Sequence, residues 1–303
     1  MTVSVTDLSF PGPHGDVPVR TYLGTASTER CAPGLVWVHG GGFSGGCLDM
    51  PSADWVARKL AERGIPVVSV SYRLAPQIDF GNPTVVPPAD GVHFPVASEE
   101  IVAAFTWTLA HAGELGIDTE LLSLGGSSAG ANLSAGASLR LRDANGAQPH
   151  TVLLAYPVLH ARLPRPSPEL AEKIETLPPH ATLPPEVTFA MNLNYVGDEA
   201  LLADPYAFPG GHDLTGLPPT FILNSDHDSL RSSGEAYASE LAMAGVDVLV
   251  LREDGTRHGH LNDPQNPAAW LSIERMSAWL HPNPLVGNQH TNAVPTIEQK
   301  VRP

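Results

Sequence analysis

The sequence predicts a doubly wound α/β fold, an open and mostly parallel sheet flanked by helices. Three observations carry that expectation. Short apolar runs rich in Val, Ile and Leu recur along the 303 residues, as strands buried on both faces require. Stretches with the apolar spacing of packed helices separate those runs. Several strands run directly into glycine-rich turns, which puts bare backbone at strand ends.

Thr2 to Leu23 alternates as a strand does, with a turn at Pro11-Gly12-Pro13-His14-Gly15 and a strand over Val17–Tyr22. Further strands are predicted at Leu35–Val38, Val67–Ser71, Leu121–Leu124, Val152–Tyr156, Thr220–Leu223 and Asp247–Leu251. Helices are expected at Ala53–Arg63, Glu99–Leu115, Ala129–Arg142, Gly234–Ala244 and Pro267–Leu280. One irregular excursion, 157–205, interrupts the alternation with prolines at 164, 166, 168, 178, 179, 184 and 185, a density that no long helix tolerates. Two short helices fit inside it, Glu169–Glu175 and Glu186–Tyr195. Residues 282–303 form a polar tail that could wrap the body or meet a second subunit, leaving a homodimer open. One catalytic domain spanning 1–303 is expected.

Composition narrows the function. With 42% hydrophobic residues the chain can bury a full core, and no apolar run approaches the roughly 18 residues of a membrane span. A net charge of −15 disfavours polyanions such as nucleic acid as partners. Met1 to Asp7 lacks the basic and apolar regions of a signal peptide, which points to the cytoplasm and to Cys31 and Cys47 as free thiols.

The chemistry concentrates at Gly126-Ser127-Ser128-Ala129-Gly130, between an apolar strand and a small-residue helix. A serine on such a sharp turn is held in a strained conformation, and flanking glycines remove the side chains that would clash. The turn lifts the Ser128 hydroxyl above the sheet and aims a helix N-terminus at any oxyanion formed beside it. Taken alone, the motif also fits a glycine-serine turn without chemistry. Upstream, Leu35–Val38 ends in His39-Gly40-Gly41-Gly42-Phe43. Three consecutive glycines are costly to order and suit a loop whose backbone must approach a ligand closely. A phosphate cradle of the dinucleotide type is a poor fit, since the G-x-G-x-x-G spacing of Gly40, Gly42 and Gly45 comes without the acidic residue that a ribose requires at the end of the next strand. Downstream, Asp226, His227 and Asp228 follow one strand, and His258 and His260 follow the next. In an open parallel sheet these strand ends share one rim. Two histidines and two aspartates could also hold zinc, but that scheme leaves the elbow serine and the glycine loop without a role.

On His39–Phe43, Tyr72-Arg73-Leu74-Ala75-Pro76, Gly126–Leu133, Asp228-Ser229-Leu230-Arg231 and His258-Gly259, the chain resembles the bacterial hormone-sensitive-lipase-like esterases of the α/β-hydrolase fold. The likeness spans roughly residues 15 to 280. It implies Ser128 as nucleophile, His258 as general base and Asp228 as its orienter, with the N–H groups of Gly41, Gly42 and Ala129 as oxyanion donors. It also implies a serine carboxylesterase that needs neither cofactor nor metal and forms an acyl-enzyme. An amidase, lactonase or transacylase would share the triad, and a non-catalytic ligand-binding relative would have lost part of it. The excursion 157–205 would be a cap over the site. The chain departs from the family at Ser127, where Asp is usual, and at His260, where an aromatic residue is common, so the wall near the base is expected to be more polar. Cap helices ahead of the glycine loop are replaced by the N-terminal strands. An inserted segment, 77–93, carries Phe80, Val85 and Val86 and is followed by Phe94. It is expected to wall a pocket for acyl chains from acetyl to hexanoyl.

Overall fold

Alternation in the first two dozen residues builds a hairpin, β1 (Val3–Gly12) and β2 (Gly15–Gly24), paired antiparallel in register from Val3↔Gly24 to Gly12↔Gly15. The computed structural model describes residues 2–24, 32–78, 90–178 and 181–281. The core of the sheet follows: β3 (Ala32–Val38), β4 (Val67–Val70), β5 (Ile117–Ser127), β6 (Val152–Ala155), β7 (Thr220–His227) and β8 (Val248–Arg257). Among the described residues these form one sheet in the order β1-β2-β4-β3-β5-β6-β7-β8. All neighbours from β4 to β8 pair parallel, while β2 meets β4 antiparallel. Strand order reverses between β3 and β5, which opens a crevice at their C-terminal ends.

Both faces of the sheet are covered. Along β3, Val36 and Val38 point into one core and Leu35 and Trp37 into the other, the period-two alternation of a strand. The first core packs under α2 (Val96–Ala110) and α4 (Ala129–Asp143). The second packs under α1 (Asp54–Ala61) and α8 (Pro267–Leu280), where the Trp37 indole donates to the Ser52 carbonyl at 2.8 Å. A third cluster joins α4 to α7 (Arg231–Met243) over Leu154 and Ile222.

Several element boundaries differ from the sequence reading, among them the start of β5 at Ile117 and of α2 at Val96. The helix expected over Glu99–Leu115 is broken at His111 into α2 and the single turn α3 (Ala112–Leu115). His111 stacks on Trp107 at 4.5 Å and donates Nδ1–H to the Trp107 carbonyl, a side-chain bond that competes with the helix ladder. Helix α7 starts three residues earlier than expected, at Arg231, because its first turn is polar yet buried and carries no apolar spacing.

Between β6 and β7 the two short helices are present: α5 (Pro168–Glu175), whose N-cap Ser167 accepts from Leu170 N–H at 3.2 Å, and α6 (Pro185–Val196). Each starts on proline, whose missing N–H costs nothing at the first helical position. Of the expected pocket wall, Phe80, Val85 and Val86 lie outside the described residues, as do Cys31 and the tail 282–303. Phe94 is buried, its ring edge-on to Tyr195 at 6.0 Å. No helix among the described residues is long and apolar enough to cross a membrane.

Candidate active site

Four strands end where the chemistry begins. β3 ends at Val38, β5 at Ser127, β7 at His227 and β8 at Arg257, so His39, Ser128, Asp228 and His258 are each the next residue on one rim. Ser128 has φ 54° and ψ −118°, a conformation that L residues rarely adopt, and its N–H donates to the Ala155 carbonyl at 2.8 Å. The glycines are required by close approach. A Cβ on Gly130 would lie 2.2 Å from the Val38 carbonyl oxygen, and one on Gly126 would lie 2.5 Å from the carbonyl of Gly130. The elbow therefore packs directly on the end of β3, with no room for a side chain between them.

His258 donates Nδ1–H to Asp228 Oδ2 at 2.7 Å, which leaves Nε2 to accept from the Ser128 hydroxyl at 3.0 Å. Asp228 is buried, and its other carboxylate oxygen accepts from Leu230 N–H at 3.0 Å. The Tyr156 ring, just past β6, stands edge-on to His258 at 5.1 Å and fills the space between the strand ends. Burial pushes its phenol well above the ordinary range, so it stays neutral.

The glycine loop lies against the elbow. A Cβ on Gly40 would sit 3.2 Å from the Ser128 Cβ, and one on Gly41 would lie 2.1 Å from the Gly45 carbonyl oxygen. Gly41, Gly42 and Phe43 have φ of 123°, 60° and 64°, a left-handed run that only a glycine-rich loop sustains cheaply. Among the described residues no acceptor is bonded to the N–H groups of Gly41, Gly42 or Ala129. Ala129 opens the fifteen-residue α4, so its amide carries the positive end of the helix dipole. Tyr72 explains part of the second motif. Its ring stacks on His39 at 4.4 Å, its hydroxyl donates to the His39 carbonyl at 3.2 Å, and Ala75 N–H donates to the Phe43 carbonyl at 2.9 Å.

The competing acid and histidine are engaged elsewhere. Asp226 accepts from Lys173 Nζ at 2.5 Å, from Arg231 at 3.3 Å and from Gly255 N–H at 3.0 Å, with Arg252 Nε at 3.2 Å. Burial alone would raise its pKa, but these donors hold it below the usual value. His260 does not make the wall near the base polar, as the sequence suggested. It is buried with its nitrogens bonded to Ser225 Oγ at 2.8 Å and Ser272 Oγ at 2.9 Å, and burial lowers its pKa to about 4. Ser272 in turn donates to Glu253, which pairs with Arg275 at 2.7 Å. The five residues weighed as zinc ligands thus divide into separate networks. Ser127 is fully buried beneath the turn. Sequence reasoning quoted Tyr72 within a motif but gave it no role, and it missed Lys173 and the Ser225–His260–Ser272 bridge, of which only the polar residues buried in otherwise apolar elements gave a hint.

A family model described as alpha/beta hydrolase fold matches residues 87–262, and a second, BD-FAE, matches 21–146. The chain is 35% identical over 252 residues to the carboxylesterase NlhH of Mycobacterium tuberculosis, covering 82% of this chain and 72% of the relative. It is 30% identical over 259 residues to an ethyl acetate hydrolase of Pseudomonas putida, covering 84% and 74%. Among solved structures, a thermostable carboxylesterase from a metagenomic library superposes with a TM-score of 0.78 at 29% identity, covering 91% of this chain and 88% of that one.

Proposed function

The chain belongs to the hormone-sensitive-lipase-like esterases of the α/β-hydrolase fold and is a carboxylic ester hydrolase, and from that premise we propose that Ser128, His258 and Asp228 are its catalytic triad, acting on esters with short acyl chains. The observation that carries this reading is the bonded line from Ser128 Oγ through His258 to Asp228, at 3.0 and 2.7 Å, beside a strained elbow.

As Ser128 Oγ attacks the ester carbonyl carbon, His258 Nε2 takes the hydroxyl proton, since a serine hydroxyl alone is a weak nucleophile at neutral pH. Asp228 holds the imidazole tautomer and stabilises the imidazolium. The tetrahedral oxyanion accepts from the N–H groups of Gly41, Gly42 and Ala129, each worth on the order of 3 kcal/mol where such donors have been removed. His258 returns the proton to the leaving alkoxide, the C–O bond breaks and the acyl group stays on Ser128. Water then attacks the acyl-enzyme by the same route, releasing the acid. No step requires a metal or an organic cofactor.

Two observations support a short acyl chain. One relative with 30% identity is named for ethyl acetate. Beside the oxyanion loop, Phe43, Tyr195 and Phe208 are packed against one another and fully buried, so that volume is filled by protein. The excursion 157–205 is the proposed cap. The test is a hydrolysis panel of graded acyl esters with lactones and anilides included, run on wild type and Ser128→Ala. Expected are a preference for acetyl to hexanoyl esters and a loss of about 10³-fold or more in the variant. Retained activity in Ser128→Ala overturns the triad, and a preference for long-chain triglycerides overturns the substrate class.

A further inference from the structure

Within the glycine loop Gly45 N–H donates to the Gly41 carbonyl at 2.9 Å, but the rest of its shape depends on what packs against it. Residues 41–43 run at positive φ, and the last of them, Phe43, is not glycine. A phenylalanine in that conformation is kept there by its surroundings. Its ring lies flat on Tyr195, centroids 4.0 Å apart and planes within 9°. Phe208 meets both rings edge-on, at 6.5 and 6.1 Å, and Phe94 meets Tyr195 at 6.0 Å.

Tyr195 is in the last turn of α6, inside the excursion between β6 and β7. That end of α6 is fastened to the loop's own scaffold. The Asn194 side-chain amide donates to the Pro76 carbonyl at 2.7 Å, and Phe94 N–H donates to the Tyr195 carbonyl at 2.9 Å. His93 Nδ1–H donates to the Asn194 carbonyl at 2.8 Å, so two of the helix's end carbonyls find partners there. The helix stops at Gly197 (φ 74°), where a Cβ would strike the His93 ring at 2.6 Å. The Tyr195 hydroxyl is buried and bonds to nothing among the described residues, so the flat ring is the working part of the side chain.

We infer that Tyr195 is a positioning residue for ester hydrolysis, its ring clamping Phe43 so that the amides of Gly41 and Gly42 face the oxyanion. The excursion is then part of the catalytic scaffold as well as a cover. This rests on the proposed roles of Ser128 and the glycine loop. A misaimed donor matters most when the carbonyl oxygen has become an oxyanion, so the loss falls on the transition state and spares the ground state.

Tyr195→Ala is expected to lower kcat by roughly ten- to a hundredfold while KM for a short ester stays within about threefold. The inhibition constant of an alkyl trifluoromethyl ketone, which forms a tetrahedral adduct on the serine, should rise by the same factor as kcat/KM falls. Tyr195→Phe should restore both to near wild type. Should Tyr195→Ala fail to fold, Tyr195→Leu keeps most of the buried volume, removes the flat ring and should show the same split. Phe43→Ala should add little to a Tyr195 variant, since both remove one clamp. Folded Tyr195 variants with kcat and ketone affinity within twofold of wild type, or with only KM raised, overturn the inference. Ser128→Ala assayed in parallel separates the failures. If that variant stays active the triad itself is wrong, whereas if it is dead and the Tyr195 variants are normal only the clamp is wrong.

Discussion

The two flanks of the site are held by opposite physics. On the side of the proposed oxyanion donors, α6 meets the glycine loop through Tyr195 stacked on Phe43, and the segment after β4 meets it through Tyr72 stacked on His39. On the acid side, α5 meets the end of β7 and the start of α7 through charge: Lys173 reaches Asp226 at 2.5 Å, and Arg231 of α7 reaches Glu169 of α5 at 2.8 Å. The difference follows from what each flank must do. Backbone amides aimed at an oxyanion need a fixed position without competing charge, which apolar contact supplies. The acid side holds Asp226 only two residues from Asp228, and Lys173, Arg231 and Arg252 gather on the Asp226 carboxylate while Asp228 pairs with His258. One flank should therefore ignore salt, and the other should feel it.

The largest effect should come from breaking the acid side at its two aspartates. Asp228→Asn places an amide against His258 Nδ1 and favours the wrong tautomer, so kcat is expected to fall by about 10³–10⁴-fold with the fold intact. Asp226→Asn should leave kcat within about tenfold but cost on the order of 1–3 kcal/mol of stability, because buried Arg231 loses one ionic partner while keeping Glu169 and Glu235. Steady-state kinetics with thermal melts on both variants decide this. If the catalytic loss is larger at Asp226, the two assignments are exchanged.

That contrast also marks how far the sequence could be read. The elbow, the glycine loop and both strand-end pairs were legible because their requirements are local. Gly130 must be bare because the Val38 carbonyl oxygen lies 2.2 Å from where its Cβ would be, and such demands leave glycine in the sequence. The inner parallel strands β3, β4, β6 and β7 were legible as apolar runs for the same kind of reason, since burial on both faces forbids polar alternation. What joins residues far apart left no such mark. Lys173 meets Asp226 across 53 positions, and Tyr195 meets Phe43 only once α6 has been laid over the rim. His260 looked like a pocket residue because it follows His258 by two. Its fate was set by Ser225 of β7 and Ser272 of α8, which meet only in the folded chain.

The buried His260 sharpens the comparison by pH. His260 is buried among neutral hydroxyls, with the Asp228 charge favouring its protonation and His258 opposing it, and its pKa falls from 6.5 to about 4. The unfolded chain therefore binds more protons than the folded one between those values. Stability attributable to His260 is full above about pH 6.5 and declines as pH falls toward 4, by about 3 kcal/mol in total. His39 and His150 are shifted the same way by burial and add to the slope. His260→Gln keeps hydrogen-bonding capacity and removes the titration. Its melting temperature should fall less than that of wild type between pH 7 and pH 4.5, and an unchanged difference would show that the buried imidazole is not the acid-sensitive group.

The smallest effect should be the most informative about the acid flank. Lys173 is partly exposed and shares Glu169 and Asp226 as partners, and Asp226 is also held by Arg231 and Arg252, so no single pair carries the contact. Partly exposed ion pairs contribute about 0–1 kcal/mol each. Lys173→Met keeps the stem against the protein and removes the charge, so at low ionic strength kcat/KM should fall only about two- to fivefold. Near 1 M salt, where screening acts within about 3 Å, wild type should drop toward the variant and the two should converge. Tyr195→Ala under the same titration should keep a constant ratio to wild type, because ring stacking carries no net charge to screen. A Lys173 ratio that also stays constant across the salt series would mean that α5 is held to β7 by packing of the lysine stem, and the contrast between the two flanks would then be one of shape alone.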